Sequence, residues 1–326
     1  GRSLRSVRTD SSRSRLGTLT AWAILALVGA LAITQLIGWD DLRAVVVLQA
    51  LTPYLGLLLV PVASWALWRR AHLAVVVSCA LGFVLLTLAT PIALPATGWP
   101  VTADAELLRV AGVNLLYTND RTADIATDLA GRDLDVIVFN EYTPAHRAAL
   151  VAHPLADDFP HRAERSGPGG DGIAVWSRSP TTVNGELPDL DNESLDLTLD
   201  TRGGGIRLLA VHPPPPTYEF EAWRRDLDTI ERIARDAGPD TMIVGDLNVS
   251  PWHPSFRALL DGGFTDAHAA TGHGFSVSWP AGGWLPAFVG IDHALLSRGL
   301  AAQTVEGFDI PGSDHRGFVV SVATTR

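Results

Sequence analysis

Polar residues recur at one kind of place in this chain, directly after a short apolar run. Val110–Val113 is followed by Asn114, and Asp135–Phe139 by Asn140 and Glu141. Leu208–Val211 is followed by His212 and four prolines, and Met242–Val244 by Gly245-Asp246-Leu247-Asn248. Gly290-Ile291 leads into Asp292-His293, and Gly312-Ser313 into Asp314-His315-Arg316. On an extended backbone Asp246 and Asn248, two apart, point to one side. Taken singly, each of these residues reads as a turn or a cap. Together they argue for one site built at the ends of strands. The carboxylate and amide oxygens among them, with no cysteine, are hard ligands that suit Mg²⁺ or Mn²⁺ and not a structural zinc. The single cysteine, Cys79, lies in an apolar run, which excludes an intramolecular disulfide and a cysteine-based zinc site.

The elements that must position these residues alternate between two patterns. Leu107–Val113, Asp135–Phe139, Gly172–Trp176, Ile206–Val211, Met242–Gly245, Ile291–Leu296 and Gly317–Val322 are predicted strands. Thr122–Ala130, Pro144–Ala152, Glu219–Ala237 and His253–Leu260 are predicted helices, the third with Trp223, Leu227, Ile230 and Ile233 on one face. Clusters of glycine and proline separate them. Gly203-Gly204-Gly205 reads as a hairpin turn and not a phosphate loop, because no helix start follows it. The result is an α/β domain over residues 101–326, with no internal repeat.

The first hundred residues differ in kind. Of 326 residues, 47% are hydrophobic and 18% charged, too apolar for an ordinary soluble enzyme. Residues 16–39 and 44–68 carry no charge, and neither do residues 71–103. A bilayer takes roughly 20 apolar residues, so three membrane spans are expected, with Pro95–Pro100 as a short linker leaving them. A cleaved signal peptide fits the first span poorly, because the second follows at once. The basic tail (Arg2, Arg5, Arg8, Arg13, Arg15), the acidic first loop at Asp40-Asp41 and the basic second loop at Arg69-Arg70 place the N-terminus inside. Three crossings then leave the α/β domain outside the cytoplasm. Residues 1–100 hold 8 Arg against 3 acidic residues, and residues 101–326 hold 17 Arg against 32. A domain that acidic repels long polyanions, so no stable nucleic-acid partner is expected. All 25 basic residues are Arg, a bias of a GC-rich genome and not of function. The chain begins at Gly1 and its single Met is Met242, so the true start is expected upstream.

The ordered set Asn114, Glu141, His212, Gly245-Asp246-Leu247-Asn248, Ile291-Asp292-His293 and Ser313-Asp314-His315 resembles the endonuclease/exonuclease/phosphatase superfamily. The resemblance covers residues 107 to 323, and the G-D-x-N and S-D-H pieces in that order are its specific part. Three spans ahead of such a domain are similar to the VanJ-type membrane proteins of high-GC Gram-positive bacteria, associated with glycopeptide resistance. The first resemblance implies a four-layer α/β/β/α sandwich and metal-dependent cleavage of a phosphoester or phosphoanhydride. It implies Glu141 as main metal ligand with Asn114 and Asp314. It sets His315 against the scissile phosphate, oriented by Asp292, with Asp246 positioning or deprotonating the attacking water. Asn248 and His212 would donate to phosphate oxygens. Phosphoryl chemistry asks for these parts: neutralised phosphate oxygens, an in-line nucleophile and a stabilised leaving group.

Two positions depart from the family pattern. Gly290 stands where relatives often carry Arg, which would remove a phosphate contact, and Asn140 replaces a commoner Gln, read as minor. His253, His268 and His293 read as structural or surface residues; Trp252, Trp279 and Trp284 read as packing, with contact to lipid or substrate as the alternative. The function expected is a membrane-anchored, Mg²⁺-dependent (or Mn²⁺-dependent) phosphohydrolase on a lipid-linked phosphate such as an undecaprenyl-pyrophosphate-type carrier. The alternatives are an extracytoplasmic nuclease with a basic groove at Arg147, Arg162, Arg165 and Arg178, a sphingomyelinase-like phosphodiesterase, and a non-catalytic membrane sensor.

Overall fold

The computed structural model describes residues 3–94 and 106–325. The expected linker Pro95–Pro100 and Arg2 of the basic tail lie outside the described residues. By its contacts the chain divides into two compact units: Gly1–Thr90 with Trp252–Pro254, and Pro91–Pro251 with Ser255–Arg326.

The first unit is helical: α1 (Ser3–Leu36), α2 (Arg43–Ala50), α3 (Thr52–Leu57), α4 (Leu59–Trp68) and α5 (His72–Ala93). Two helical stretches, Arg15–Leu36 and His72–Ala93, are long and apolar enough to cross a membrane. The interior they form is small-sided, with Ala21, Leu25, Val28, Val62, Ala66 and Ala74 packed together. Larger apolar side chains such as Leu19, Leu27, Ile33, Val76, Phe83 and Leu86 face outward. A helix apolar all round belongs to a membrane or to the core of a large protein, so these helices mark a membrane protein.

The second expected span differs. Residues 43–50 and 52–68 are bent by 65° at a break, so they make one span only if the bent pair counts as one. Pro53 explains the break. It has no N–H to give the carbonyl of Gln49, and it disfavours helix at the residue before it. The Thr52 hydroxyl donates to that carbonyl instead, at 2.6 Å. The Gln35 amide donates to the same hydroxyl at 2.8 Å, and the Gln49 amide to Thr34 Oγ1 and to the carbonyl of Trp39. A broken helix in an apolar setting requires this kind of side-chain replacement.

The second unit is a layered sandwich. Its strands are β1 (Leu108–Asn114), β2 (Val136–Asn140), β3 (His161–Arg165), β4 (Ile173–Ser177), β5 (Thr181–Gly185), β6 (Leu195–Thr201), β7 (Gly204–Ala210), β8 (Thr241–Asp246), β9 (Phe264–Asp266), β10 (Asp292–Ser297), β11 (Leu300–Asp309) and β12 (Arg316–Thr324). Its helices are α6 (Thr122–Ala130), α7 (Pro144–Ala152), α8 (Leu155–Asp158), α9 (Phe220–Arg235), α10 (Pro254–Asp261) and α11 (Ala267–Ala270). One sheet runs β11-β12-β1-β2-β4-β3 and the other β5-β6-β7-β8-β10-β9. Side chains alternate between layers. Val110, Val136 and Val138 pack between the sheets with Met242, Val244 and Leu208. Ala111, Val113, Ile137 and Phe139 face the other way, onto α6 and α7 through Ile125, Leu129 and Leu150. Helix α9 buries Trp223, Leu227, Ile230 and Ala234. Each Val or Leu so buried contributes roughly 1.5–3 kcal/mol. This is the four-layer α/β/β/α arrangement expected.

The topology explains why polar ends collect. Each sheet holds one parallel pair at its centre, β1 with β2 and β7 with β8. Parallel neighbours finish at the same edge. Strands β10 and β12 run antiparallel to β8 and β1, so their first residues lie at that edge too; Asp292 sits opposite Asp246 in the ladder.

Candidate active site

Asn140 ends β2 and joins the two sheets. Its Oδ1 accepts from the N–H of Asp246 at 3.0 Å, and its amide donates to the carbonyl of Val211 at 3.1 Å. A position read as minor therefore fixes the ends of β7 and β8 against β2. Gly245 makes the approach possible. Its φ is +150°, and a Cβ there would meet the Val211 carbonyl oxygen at 2.0 Å.

Asp246 is buried and central. Its Oδ1 accepts from the N–H of Asn248 at 2.9 Å, and its Oδ2 from the amide of Asn114 at 3.0 Å. His212 Nε2 and His315 Nε2 each lie 3.6 Å from that same Oδ2. Burial works against its charge, but His315 first and then His212 and the Asn248 N–H hold its pKa below the usual carboxylate value. The same carboxylate overcomes the burial of His212 and raises its pKa.

Asn114 also donates to Glu141 Oε1 at 3.1 Å, so one amide spans both carboxylates. Its oxygen accepts from the Leu116 N–H at 3.0 Å and keeps a second lone pair. Glu141 Oε2 accepts from the Tyr117 N–H at 2.8 Å. Glu141 and Asn248 both adopt left-handed backbone, φ +57° and +50°, a strained state that persists where surrounding contacts demand it. Asn248 donates through its amide to the carbonyl of Pro213 at 3.0 Å, leaving one amide proton for another acceptor.

His315 and Asp292 form a pair, Nδ1 to Oδ2 at 2.9 Å. This fixes the ring so that Nε2 points toward Asp246. Burial presses the ring toward neutrality, but the charges of Asp292 and Asp246 prevail and raise its pKa to about 10. The backbone carrying it is tied down: Ser313 Oγ donates to the Asn114 carbonyl and accepts from the His315 N–H. Ser278 Oγ likewise accepts from the N–H groups of Ile291 and Asp292.

Asp314 Oδ2 accepts from the Trp279 indole at 3.1 Å, so Trp279 does more than pack. Its Oδ1 is buried without a hydrogen-bond partner among the described residues. An orphaned carboxylate oxygen near a site of oxygen donors fits a divalent cation. The ligand atoms of Asp246, Asp292 and His315 also lie within 4.8 Å of one another. There, though, Asp292 and His315 already use each other.

The departure at Gly290 has a steric reason. A Cβ at that position would meet the Ser276 carbonyl oxygen at 2.4 Å, so no arginine fits this backbone. The arginines expected to line a basic groove have partners elsewhere. Arg147 pairs with Glu164 and Arg165 with Glu186, each at 2.7 Å. Arg162 and Arg178 lie over the rings of Trp176 and Phe159.

A cavity of about 930 Å³ opens beside Asp314 and His315. It is lined by the loop through Gly282, Gly283, Leu285, Pro286 and Ala287, and also by Arg121, Asp309 and Arg316. Trp284 in that loop is 91% exposed, and Leu285 is exposed as well.

The sequence profile described as Endonuclease/Exonuclease/phosphatase family matches residues 110–315. A search of curated protein sequences gives no match. Among solved structures, TDP2 of D. rerio complexed with a single-strand DNA product superposes with TM-score 0.55 at 17% identity, covering 67% of this chain and 100% of that one. The 3′ phosphatase NExo of Neisseria bound to a product DNA hairpin gives TM-score 0.51 at 19% identity, covering 65% and 98%. An endonuclease/exonuclease/phosphatase of Beutenbergia cavernae gives 0.51 at 19%, covering 67% and 72%.

Proposed function

The chain belongs to the endonuclease/exonuclease/phosphatase family, hydrolases of phosphoester bonds, and on that premise we propose that it cleaves a lipid-linked phosphate or pyrophosphate outside the cytoplasm. On this reading residues 1–100 are a cytoplasmic basic tail, a three-helix membrane anchor and a linker, and residues 101–326 the catalytic domain. One observation carries the choice of substrate: the cavity beside Asp314 and His315 is lined in part by an apolar loop through Leu285, Pro286 and Ala287. A phosphorylated amphiphile presents an anion to those two residues and hydrocarbon to that loop. The Arg-rich inner segments support the orientation. The engagement of Arg147, Arg162, Arg165 and Arg178 with other partners supports a small headgroup over a long polyanion.

Divalent ions are typical of the family, and Mg²⁺ (or Mn²⁺) suits Glu141, Asp314 and the oxygen of Asn114. Held by these residues, such an ion would supply positive charge against the phosphate and leaving-group oxygens. The chain's own residues do the rest. Asp246 holds the attacking water in line and takes its proton as the new P–O bond forms. The His315 cation, kept charged by Asp292, stabilises the negative charge that builds on the phosphoryl oxygens. His212 and the remaining amide proton of Asn248 donate to those oxygens. The 3.6 Å separations from Asp246 to both imidazoles exceed a charged hydrogen bond, so neither ring is committed to that carboxylate. For a pyrophosphate, the P–O–P bond breaks to inorganic phosphate and the lipid monophosphate.

The test is inorganic phosphate release by the full-length protein in detergent with Mg²⁺, on a polyprenyl pyrophosphate and, in parallel, supercoiled plasmid. Release from the lipid, lost with EDTA and in Asp246→Ala, is the expected result. Plasmid nicking with the lipid untouched would make the protein a nuclease instead, and release of a phosphocholine head from a diester would make it a phosphodiesterase.

A further inference from the structure

His293 follows Asp292 on β10, so its side chain leaves the opposite face of the strand. There it meets Asp266, the last residue of β9, and His268 of α11. The three are buried, and their ligand atoms lie within 4.8 Å of one another. Asp266 Oδ1 is 3.4 Å from His293 Nδ1 and 3.5 Å from His268 Nδ1. Charged hydrogen bonds between such groups are about 2.7–2.9 Å, so these separations are too long for contacts the groups would choose for themselves. Ligands held tetrahedrally at zinc's bond lengths of about 2.0–2.1 Å lie roughly 3.3 Å apart, close to what is seen.

The outward-facing atoms agree. His293 Nε2 lies 3.0 Å from the carbonyl of Val249. The carbonyl accepts the Nε2 proton, and Nδ1, which faces Asp266, is then the atom offered to a metal, the arrangement of a metal-bound imidazole and its supporting carbonyl. Asp266 Oδ2 accepts from the Ala269 N–H at 3.1 Å, leaving Oδ1 for the cluster. His268 Nδ1 is buried with no hydrogen-bond partner among the described residues. A cavity of about 180 Å³ lined by all three residues gives an ion a route in and space for a fourth, solvent ligand. Arg316 at its wall pairs with Asp309 at 2.8 Å.

We propose that Asp266, His268 and His293 form a second metal site, of two imidazoles and one carboxylate, that takes a borderline ion of the Zn²⁺ class and ties β9, α11 and β10 together. Nitrogen donors separate it from the all-oxygen set at Glu141 and Asp314, which favours Mg²⁺ or Mn²⁺. The ion's place is structural: it lies behind Asp292, on the face away from the reacting phosphate.

The test uses the full-length protein in detergent with Glu141→Gln and Asp314→Asn, which removes the oxygen site, stripped with EDTA and titrated with Zn²⁺ and Co²⁺. Expected are one bound equivalent by elemental analysis, an intense tetrahedral Co²⁺ spectrum, and a rise in melting temperature with Zn²⁺. Adding His268→Ala is expected to weaken Zn²⁺ binding at least 100-fold and to abolish both other signals. His268→Gln, which keeps a polar side chain of similar reach, serves if the alanine variant does not fold. Absence of a bound equivalent in the parent, or unchanged stoichiometry and Co²⁺ spectrum in the His268 variant, would overturn the proposal.

Discussion

Strand β10 opens with two neighbours that serve opposite faces, and the contrast between their clusters is instructive. Asp292 reaches His315 at 2.9 Å, a short bond that locks a ring and holds its charge. His293 and His268 stand 3.4 and 3.5 Å from Asp266, a gap in want of an ion. The first cluster borders the cavity of about 930 Å³ that the exposed loop helps to line, and the second a smaller cavity of about 180 Å³. The same residue types, one position apart, become a positioning device on one face and a ligand set on the other. What decides is the separation between partners and the atoms behind them.

The contrast breaks most visibly at Asp246. Asp246→Ala removes the residue that aims the water and leaves two imidazoles without their shared carboxylate. Phosphate release should fall about 10³-fold or more, with wild-type binding of Zn²⁺ at Asp266. His268→Gln should do the reverse, sparing turnover while losing that binding. Equal losses of turnover in the two variants, measured side by side, would mean the faces of β10 are not separate.

Asp292→Asn sharpens the comparison by removing the charge and keeping the shape. Turnover should drop about 10²-fold. The His315 pKa is raised, so the wild-type ring stays cationic until about pH 10. Without Asp292, burial prevails further, the pKa falls, and the cation is lost at lower pH. The alkaline limb of the pH–rate profile should therefore move down. A limb that stays in place would show that His315 does not carry the charge the reaction needs.

The polar strand ends were legible because buried strands leave long apolar runs, and a carboxylate after such a run stands out. Helices Thr122–Ala130 and Pro144–Ala152 occupy the residues predicted. Strands β3, β5, β9 and β11 went unread: they are short or half-exposed, as in the largely exposed Thr181–Gly185, and show too little apolar contrast. Strand β6 went unread as well, although its alternation of Leu with polar residues is the period of two that marks a half-buried strand. The Asp266 cluster left no mark, because its ligands come from three elements and one of them, Asp266, looks like an ordinary turn residue before a short helix. The roles of Asn140 and Gly290 depend on a backbone from elsewhere in the chain approaching within bonding distance, which no local pattern encodes.

Asn140 supplies the next prediction, intermediate in size. Asn140→Ala leaves the Asp246 N–H and the Val211 carbonyl buried without partners. That costs about 1–3 kcal/mol for each group left unpaired. The melting temperature of the full-length protein should fall, and turnover with it, since Asp246 loses its anchor to β2. Turnover that falls with no change in melting would make Asn140 a site residue only; a fall in melting alone would make it a tie between sheets only.

The smallest effect concerns the larger cavity. Trp284 makes little contact with the protein, being 91% exposed, so Trp284→Ala should leave melting unchanged. If its ring holds the hydrocarbon of the substrate, KM for a polyprenyl pyrophosphate should rise about tenfold, the loss expected from about 1.4 kcal/mol of apolar contact. Turnover of a short, water-soluble phosphoester should be untouched, because such a molecule reaches Asp314 and His315 without meeting the loop. The split between the two substrates is what matters: a loss shared by both would mean that Trp284 shapes the catalytic residues through the loop, and no loss with either would remove the apolar wall from the argument for a lipid.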